Sequence, residues 1–153
     1  IMTKPIRLEE QLCFSLYTAQ KQYNKYYATA LAPFHLTYPQ FIVLLTLWEH
    51  DTLTVNDLGH YLNLDSGTLT PLLKRLEKDD WVERRRDTVD ERRVLIHLTQ
   101  KALSQRDTIY DRVNKCLTHL NFTPEQYNDL KKEVDLITAH LQQFTENTDA
   151  LKI

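Results

Sequence analysis

Residues 64–99, LDSGTLTPLLKRLEKDDWVERRRDTVDERRVLIHLT, change their periodicity halfway along, and that change decides the fold. Up to Lys78 the apolar residues Leu69, Leu72, Leu73 and Leu76 recur at helical spacing, behind an Asp65-Ser66 start signal. From Trp81 the pattern alternates: Val82, Arg84 and Arg86, then Val94, Ile96 and Leu98, around a polar centre. This predicts a β-hairpin with its tip near Thr88–Glu91. Upstream, Thr54-Val55-Asn56-Asp57 has the form of a capping box, opening a short helix that ends near Leu62. Two short helices joined by a tight turn are a helix-turn-helix, and a hairpin directly after it makes a winged helix. Pro71 is tolerable in the second helix because it lies near the N-terminal end, where few intrahelical bonds are lost.

Working outward, apolar spacing predicts a first helix from Leu8 to about Leu31 (Leu8, Leu12, Leu16, Tyr23, Tyr27), broken at Ala32-Pro33-Phe34-His35. A second, Tyr38 to about His50, is apolar around most of its girth and should be the central, buried one. After the hairpin, Thr99 to about Leu120 is helical. Thr123-Pro124-Glu125-Gln126 then opens a last helix to about Phe144. The expected fold is mainly α with a small β-hairpin wing. It is a single domain over 1–153, with a winged-helix lobe at 52–98 between helical segments 6–50 and 99–147. There is no repeat, low-complexity tract or obvious linker.

The 153 residues suit one domain, and 42% hydrophobic with 26% charged content is ordinary for a soluble globular chain. No apolar run approaches a membrane span, and the first residues lack a signal-peptide pattern. Ile1 ahead of Met2 is set aside as a remnant. Cys13 and Cys116 are too far apart in sequence for a metal clip or a secreted disulfide framework, so the expectation is a cytoplasmic protein with reduced thiols. The net charge of −2 hides a local distribution. Residues 66–93 carry eight Lys/Arg against seven Asp/Glu, so any nucleic-acid binding rests on a few placed cations.

A helix that reads DNA needs small polar residues at its leading end and donors behind them. Ser66, Gly67, Thr68 and Thr70 come first here, then Lys74 and Arg75. The hairpin offers Arg84, Arg85, Arg86, Arg92 and Arg93, and an arginine near its tip can enter a narrow minor groove. Asp90 and Arg92, two apart on an extended tip, share a face, so that the aspartate orients the guanidinium. Alternating charge on a hairpin is usually a solvated surface, and Ser/Thr at a helix start is usually only a cap. The order of the two motifs is what favours double-stranded DNA as the partner.

The same stretch resembles the core of the MarR family of bacterial winged-helix regulators, including its D-x-R wing signature, here Asp90-Glu91-Arg92. The flanking segments 6–50 and 99–147 resemble that family's dimerisation helices. The resemblance implies a homodimeric repressor on a palindromic operator, with each recognition helix in one of two successive major grooves.

The segment QLCFSLY, residues 11–17, resembles a narrower branch, the organic-hydroperoxide (OhrR-like) regulators, whose sensing cysteine lies here and is hydrogen-bonded by tyrosines. The matching residues are Cys13 with Tyr17, Tyr27 and Tyr38. On one straight helix Tyr27 lies roughly 21 Å beyond Cys13, so a shared site would need Tyr27 from a partner subunit, as the resemblance implies. Only a thiolate attacks a peroxide; phenolic donors and the start of a helix both favour one. Phe14, Leu12 and Leu16 would suit an apolar peroxide. By the same resemblance Cys116 is read as the resolving cysteine of an intersubunit disulfide, although other members of the branch use a small thiol instead. Each cysteine has the alternative of being a small core hydrophobe.

No cofactor is expected. The histidines, at 35, 50, 60, 97, 119 and 140, include no i, i+4 pair for a local metal site. A thiol peroxidase built on Cys13 is the less favoured reading, since no CxxC or peroxidase-like setting accompanies it; the chain is expected not to be an enzyme. A regulator answering a non-covalent phenolic or quinone ligand is the alternative kept.

Overall fold

Thr37, Pro39 and Gln40 open the helix on which the rest is assembled. The Thr37 hydroxyl accepts from the Gln40 N–H at 3.4 Å, and the Gln40 side chain accepts from the Thr37 N–H at 2.9 Å. This capping box starts α2 (Tyr38–His50), in which Phe41, Val43, Leu44 and Leu47 are buried. The computed structural model describes residues 6–147; Ile1, set aside above, lies outside them. The chain divides between Lys115 and Cys116 into two compact units.

In the first unit the elements run α1 (Leu12–Leu31), α2, β1 (Leu53–Thr54), α3 (Val55–Leu62), α4 (Ser66–Lys78), β2 (Val82–Arg86), β3 (Val94–Leu98) and α5 (Gln100–Thr118), which crosses the division. The expected Thr54–Asp57 capping box is present: the Asp57 N–H donates to the Thr54 hydroxyl at 3.0 Å, and the Thr54 N–H to the Asp57 carboxylate at 3.1 Å. Asp65 caps α4 by accepting from the Thr68 N–H at 2.8 Å. Between them Asn63 adopts a left-handed conformation (φ 52°), and the Leu64 N–H closes the turn onto the Gly59 carbonyl at 3.0 Å. The predicted helix-turn-helix is therefore observed. Leu58, Leu69, Leu73 and Leu76 fix it to the core, all at most 1% exposed.

β2 and β3 form the wing, in register from Val82↔Leu98 to Arg86↔Val94. Two details differ from the sequence-based expectation. A two-residue strand, β1, pairs with β3, so the sheet has three antiparallel strands in the order β1-β3-β2; two residues are too few to show a period. The first helix begins at Leu12, because Gln11 is extended (φ −81°, ψ 122°) and separates it from a 3-10 turn over Leu8–Glu10. Apolar spacing runs on from Leu8 to Leu12 across that single extended residue and so conceals it.

Side chains bind α5 to the core within the first unit. The Trp48 indole donates to the Ala102 carbonyl at 3.1 Å, and the Tyr26 hydroxyl to the Val113 carbonyl at 3.2 Å. Arg112 donates to the carbonyls of Ala30 and Thr29 at the C-terminal end of α1, where a cation suits the helix dipole.

The second unit holds the end of α5 and α6 (Pro124–Glu146), opened by a Thr123–Gln126 capping box. No residue of α6 is buried. Tyr127, Leu130, Val134, Ile137, Leu141 and Phe144 follow a three-four-three-four-three spacing, the seam of a helix made to pack against other helices. Among the described residues no single helix is long and apolar enough to cross a membrane.

A Cβ at Gly59 would stand 2.9 Å from the Leu64 carbonyl oxygen, a backbone atom that cannot swing aside. Gly59→Ala should therefore lower stability by about 1–2 kcal/mol despite alanine's helix preference of roughly 1 kcal/mol. Thermal melts would register a lower midpoint; an unchanged or raised one would show that the turn yields.

Candidate nucleic-acid interface and cysteine site

With Leu69, Leu73 and Leu76 turned inward, the 3.6-residue period turns Gly67, Pro71, Lys74, Arg75 and Lys78 outward, with Thr68 and Thr70 on the flanks. Pro71 falls on this outer face as the sixth residue of α4 and forgoes one intrahelical bond. Ser66, Gly67 and Thr68 at the leading end are exposed, so the backbone there is accessible to a groove. Lys74, Arg75 and Lys78 have no ion-pair partner among the described residues. Lys78 was not singled out from the sequence, and its signal is its place on the same helical face as Lys74.

The hairpin's arginines are less free than their number suggests. Arg84 folds back on Glu77 of α4, its Nε donating to Oε2 at 2.8 Å. Arg85 pairs with Glu83, and Arg93 with Asp87 at 3.7 Å. Arg92 donates from both its backbone N–H (3.1 Å) and its Nε (3.3 Å) to the same Asp90 oxygen, while its side chain stays 92% exposed. The Asp90–Arg92 pair thus forms as read, but through a side-chain-capped turn at the tip and not along an extended strand. Arg86 has no ion-pair partner among the described residues. A cleft of about 600 Å³ between α3, α4 and the hairpin sets Arg84, Arg92 and Arg93 with Asp57 and Thr70.

Charge is settled by local hydrogen bonds. The Arg84 side chain holds the Glu77 carboxyl below its ordinary value, and the partnership raises Arg84 in turn. Hydrogen bonds from Thr68 lower Asp65, and those from Thr54 lower Asp57.

Cys13 is exposed and is the second residue of α1, inside the first turn, where backbone N–H groups lack intrahelical acceptors. Its sulfur lies 3.6 Å from the Gln11 side-chain oxygen. Tyr17 is exposed one turn on, with the Lys21 ammonium 5.5 Å from its ring centre. At the other end of α1, Tyr27 meets Tyr38 of α2 with ring centres 4.4 Å apart, within a cluster that includes Tyr23, Tyr26 and Phe41. The structure thus brings Tyr27 and Tyr38 together and leaves Cys13 and Tyr17 at the far end of one unbroken helix. Cys116, partly exposed, belongs to the last turn of α5.

A capped helix-turn-helix followed by a basic hairpin is the architecture of a winged-helix DNA-binding protein. The family described as transcriptional regulator SarA/Rot matches residues 25–109. The organic hydroperoxide resistance transcriptional regulator of Bacillus subtilis (strain 168) is 43% identical over 138 residues, 90% of this chain and 94% of its own. Reduced AbfR of Staphylococcus epidermidis bound to DNA gives a TM-score of 0.81 at 36% identity, covering 91% of this chain and 95% of its own. AbfR with its disulfide formed gives 0.66 at 37% identity, over 86% and 93%. A mutant MarR from E. coli complexed with operator DNA gives 0.75 at 26% identity, over 82% and 92%. The chain belongs to the SarA/Rot and MarR-type winged-helix transcriptional regulators, in the branch of the organic hydroperoxide regulators; it is a regulator of transcription and not an enzyme.

The depressed Asp65 titration has a definite sign. Its contribution to stability is fully present above the ordinary value of 3.8 and is lost as pH falls through the lower folded-state value. Asp65→Asn keeps an accepting oxygen without the titration, so the difference in melting temperature between parent and variant should shrink on acidification below about pH 4. A difference that stays constant through that range would remove Asp65 as the acid-sensitive cap of α4.

Proposed function

We propose that the chain is a homodimeric repressor in the cytoplasm that leaves a palindromic operator when Cys13 is oxidised by an organic hydroperoxide. The observation that carries this is the separation along α1. Cys13 is exposed at one end and the Tyr27–Tyr38 pair sits at the other, 14 residues or about 21 Å away. One chain therefore holds two half-sites, and a second copy running antiparallel would complete both. The exposed apolar residues Leu12, Phe14 and Tyr17 of α1, and the seam of α6, supply the surface such a dimer would cover. The Bacillus regulator's role in hydroperoxide resistance, and the reduced and disulfide-formed states of AbfR, support the chemistry.

The Cys13 thiolate attacks one peroxide oxygen. An S–O bond forms, the O–O bond breaks, and the departing alkoxide takes a proton to leave as the alcohol. The sulfenic acid is then attacked by the thiolate of Cys116 of the partner subunit, forming a disulfide and releasing water. Because α1 lies at the proposed dimer interface, this change alters the spacing of the two α4 helices, which must match successive major grooves. Ser66, Thr68 and Thr70 would face base edges and phosphates, Lys74, Arg75 and Lys78 phosphates, and Arg86 and Arg92 the flanking minor groove, with Asp90 orienting Arg92 and Arg93 held beside them by Asp87.

A second reading, release by a non-covalent phenolic or quinone ligand, is favoured by the cleft of about 600 Å³ between α3, α4 and the hairpin, where Val55, Leu73 and Val94 offer apolar contact beside Thr70 and the arginines.

Fluorescence anisotropy on a duplex enriched by the reduced protein from a randomised library separates the two. Cumene hydroperoxide should abolish wild-type binding and dithiothreitol restore it, while Cys13→Ser binds as tightly as the parent and ignores the peroxide. Wild-type binding indifferent to peroxide but released by salicylate would transfer the function to the arginine-lined cleft. Cys116→Ser should respond to peroxide yet form no covalent dimer on a non-reducing gel.

A further inference from the structure

The outermost strand of the wing carries a bond that its place in the sheet does not require. In the order β1-β3-β2, β2 is an edge, so backbone N–H groups on its outer side face solvent. The Arg84 N–H instead donates to Glu77 Oε2 at 3.2 Å. The Arg84 side chain grips the same carboxylate, Nε to Oε2 at 2.8 Å and Nη2 to Oε1 at 3.4 Å. One carboxylate at the end of α4 thus holds both backbone and side chain of a wing residue. Two forked contacts also fix orientation, which a single point contact does not. The pair is only partly exposed, 31% for the Arg84 side chain and 40% for that of Glu77.

The backbone between these elements is short and turns sharply. Three residues, Asp79, Asp80 and Trp81, join α4 to β2, and Asp80 has φ 61°. The Trp81 N–H returns to the Leu76 carbonyl at 2.9 Å, and the buried Trp81 and Val82 side chains seat the start of β2, while the strand beyond Val82 is exposed. Of the contacts above, the Glu77–Arg84 pair is the one that spans α4 and the body of the wing.

We propose that Glu77 and Arg84 are positioning residues for DNA binding: they form a strut that sets the wing's angle to α4, so that the hairpin tip meets the minor groove while α4 occupies the major groove. This rests on the reading of α4 and the hairpin as the duplex-binding surface. It reassigns Arg84 from one of the hairpin arginines offered to DNA to an internal brace, and gives a role to an anion that charge alone would mark as a liability beside DNA.

The sign of one substitution separates the two roles. Removing an anion near a polyanion tightens binding if charge is all that matters, whereas removing a strut weakens it. Full-length Glu77→Ala and Arg84→Met, and the double variant, are titrated under reducing conditions on the duplex enriched by the wild-type protein, over a series of salt concentrations. Each single variant should weaken binding by roughly tenfold, with the double no weaker than either single, since both remove the same brace. The slope of log K against log salt should stay that of the wild type, because no phosphate contact is lost. Hydroxyl-radical footprints should keep the protection under α4 and lose it at the flanks under the wing. Glu77→Gln, which retains an acceptor for the Arg84 N–H, should fall between parent and Glu77→Ala and covers the case in which the alanine variant does not fold. Unchanged or tighter binding by Glu77→Ala, or by Glu77→Gln in its place, overturns the strut. So does a slope reduced by about one per protomer in Arg84→Met, which would make that arginine a phosphate ligand. Failure of the wild-type protein to enrich any duplex would overturn the DNA-binding reading itself, before any variant is made.

Discussion

Burial of α2 on nearly all sides is the constraint from which the rest of the first unit follows. Val43, Leu44 and Leu47 are wholly excluded from solvent, each worth about 1.5–3 kcal/mol on burial. A helix without a solvent face has to be covered, and α1, α3, α4 and β3 all pack on it. The reading helix is held by the same core: Leu69, Leu73 and Leu76 face inward, so Lys74, Arg75 and Lys78 must face out. The polar surface proposed to meet DNA is thus a consequence of where the leucines go.

That surface does not work through bulk charge. Eight cations against seven anions over residues 66–93 leave almost no net field, and several arginines are held by nearby carboxylates. What remains are a few cations in fixed places, on a helix capped by Asp65 and on the hairpin that follows it. A chain with a net charge of −2 can bind a polyanion in this way because counterion release depends on local phosphate contacts and not on the charge of the whole protein.

On the cysteine side, an uninterrupted helix acts as a ruler. From Leu12 to Leu31 nothing breaks α1, so its length alone keeps Cys13 from Tyr27. The tyrosine cluster at the far end packs ring against ring, with the Tyr26 hydroxyl donating to the Val113 carbonyl. In the proposed dimer, the same rigidity that separates the halves within one chain would transmit a change at Cys13 to the packing between two chains.

Sequence alone determined most of the elements, because their signals are local. Helical spacing of leucines, the capping boxes at Thr54 and Thr123, and the shift to alternation at Trp81 each depend on residues a few positions apart. The Asp90–Arg92 pair was legible for the same reason, although the turn that makes it was not. What only the tertiary structure decided depends on distant partners. β1 exists because Leu53 and Thr54 reach β3 more than forty residues later, and the extended Gln11 leaves no mark on apolar spacing. Whether Arg84 is free for DNA or tied to a carboxylate was equally unreadable. Arg84 and Arg86 look alike in the sequence, and only the approach of the end of α4 to the edge of the wing gives one of them Glu77 as a partner and leaves the other facing water.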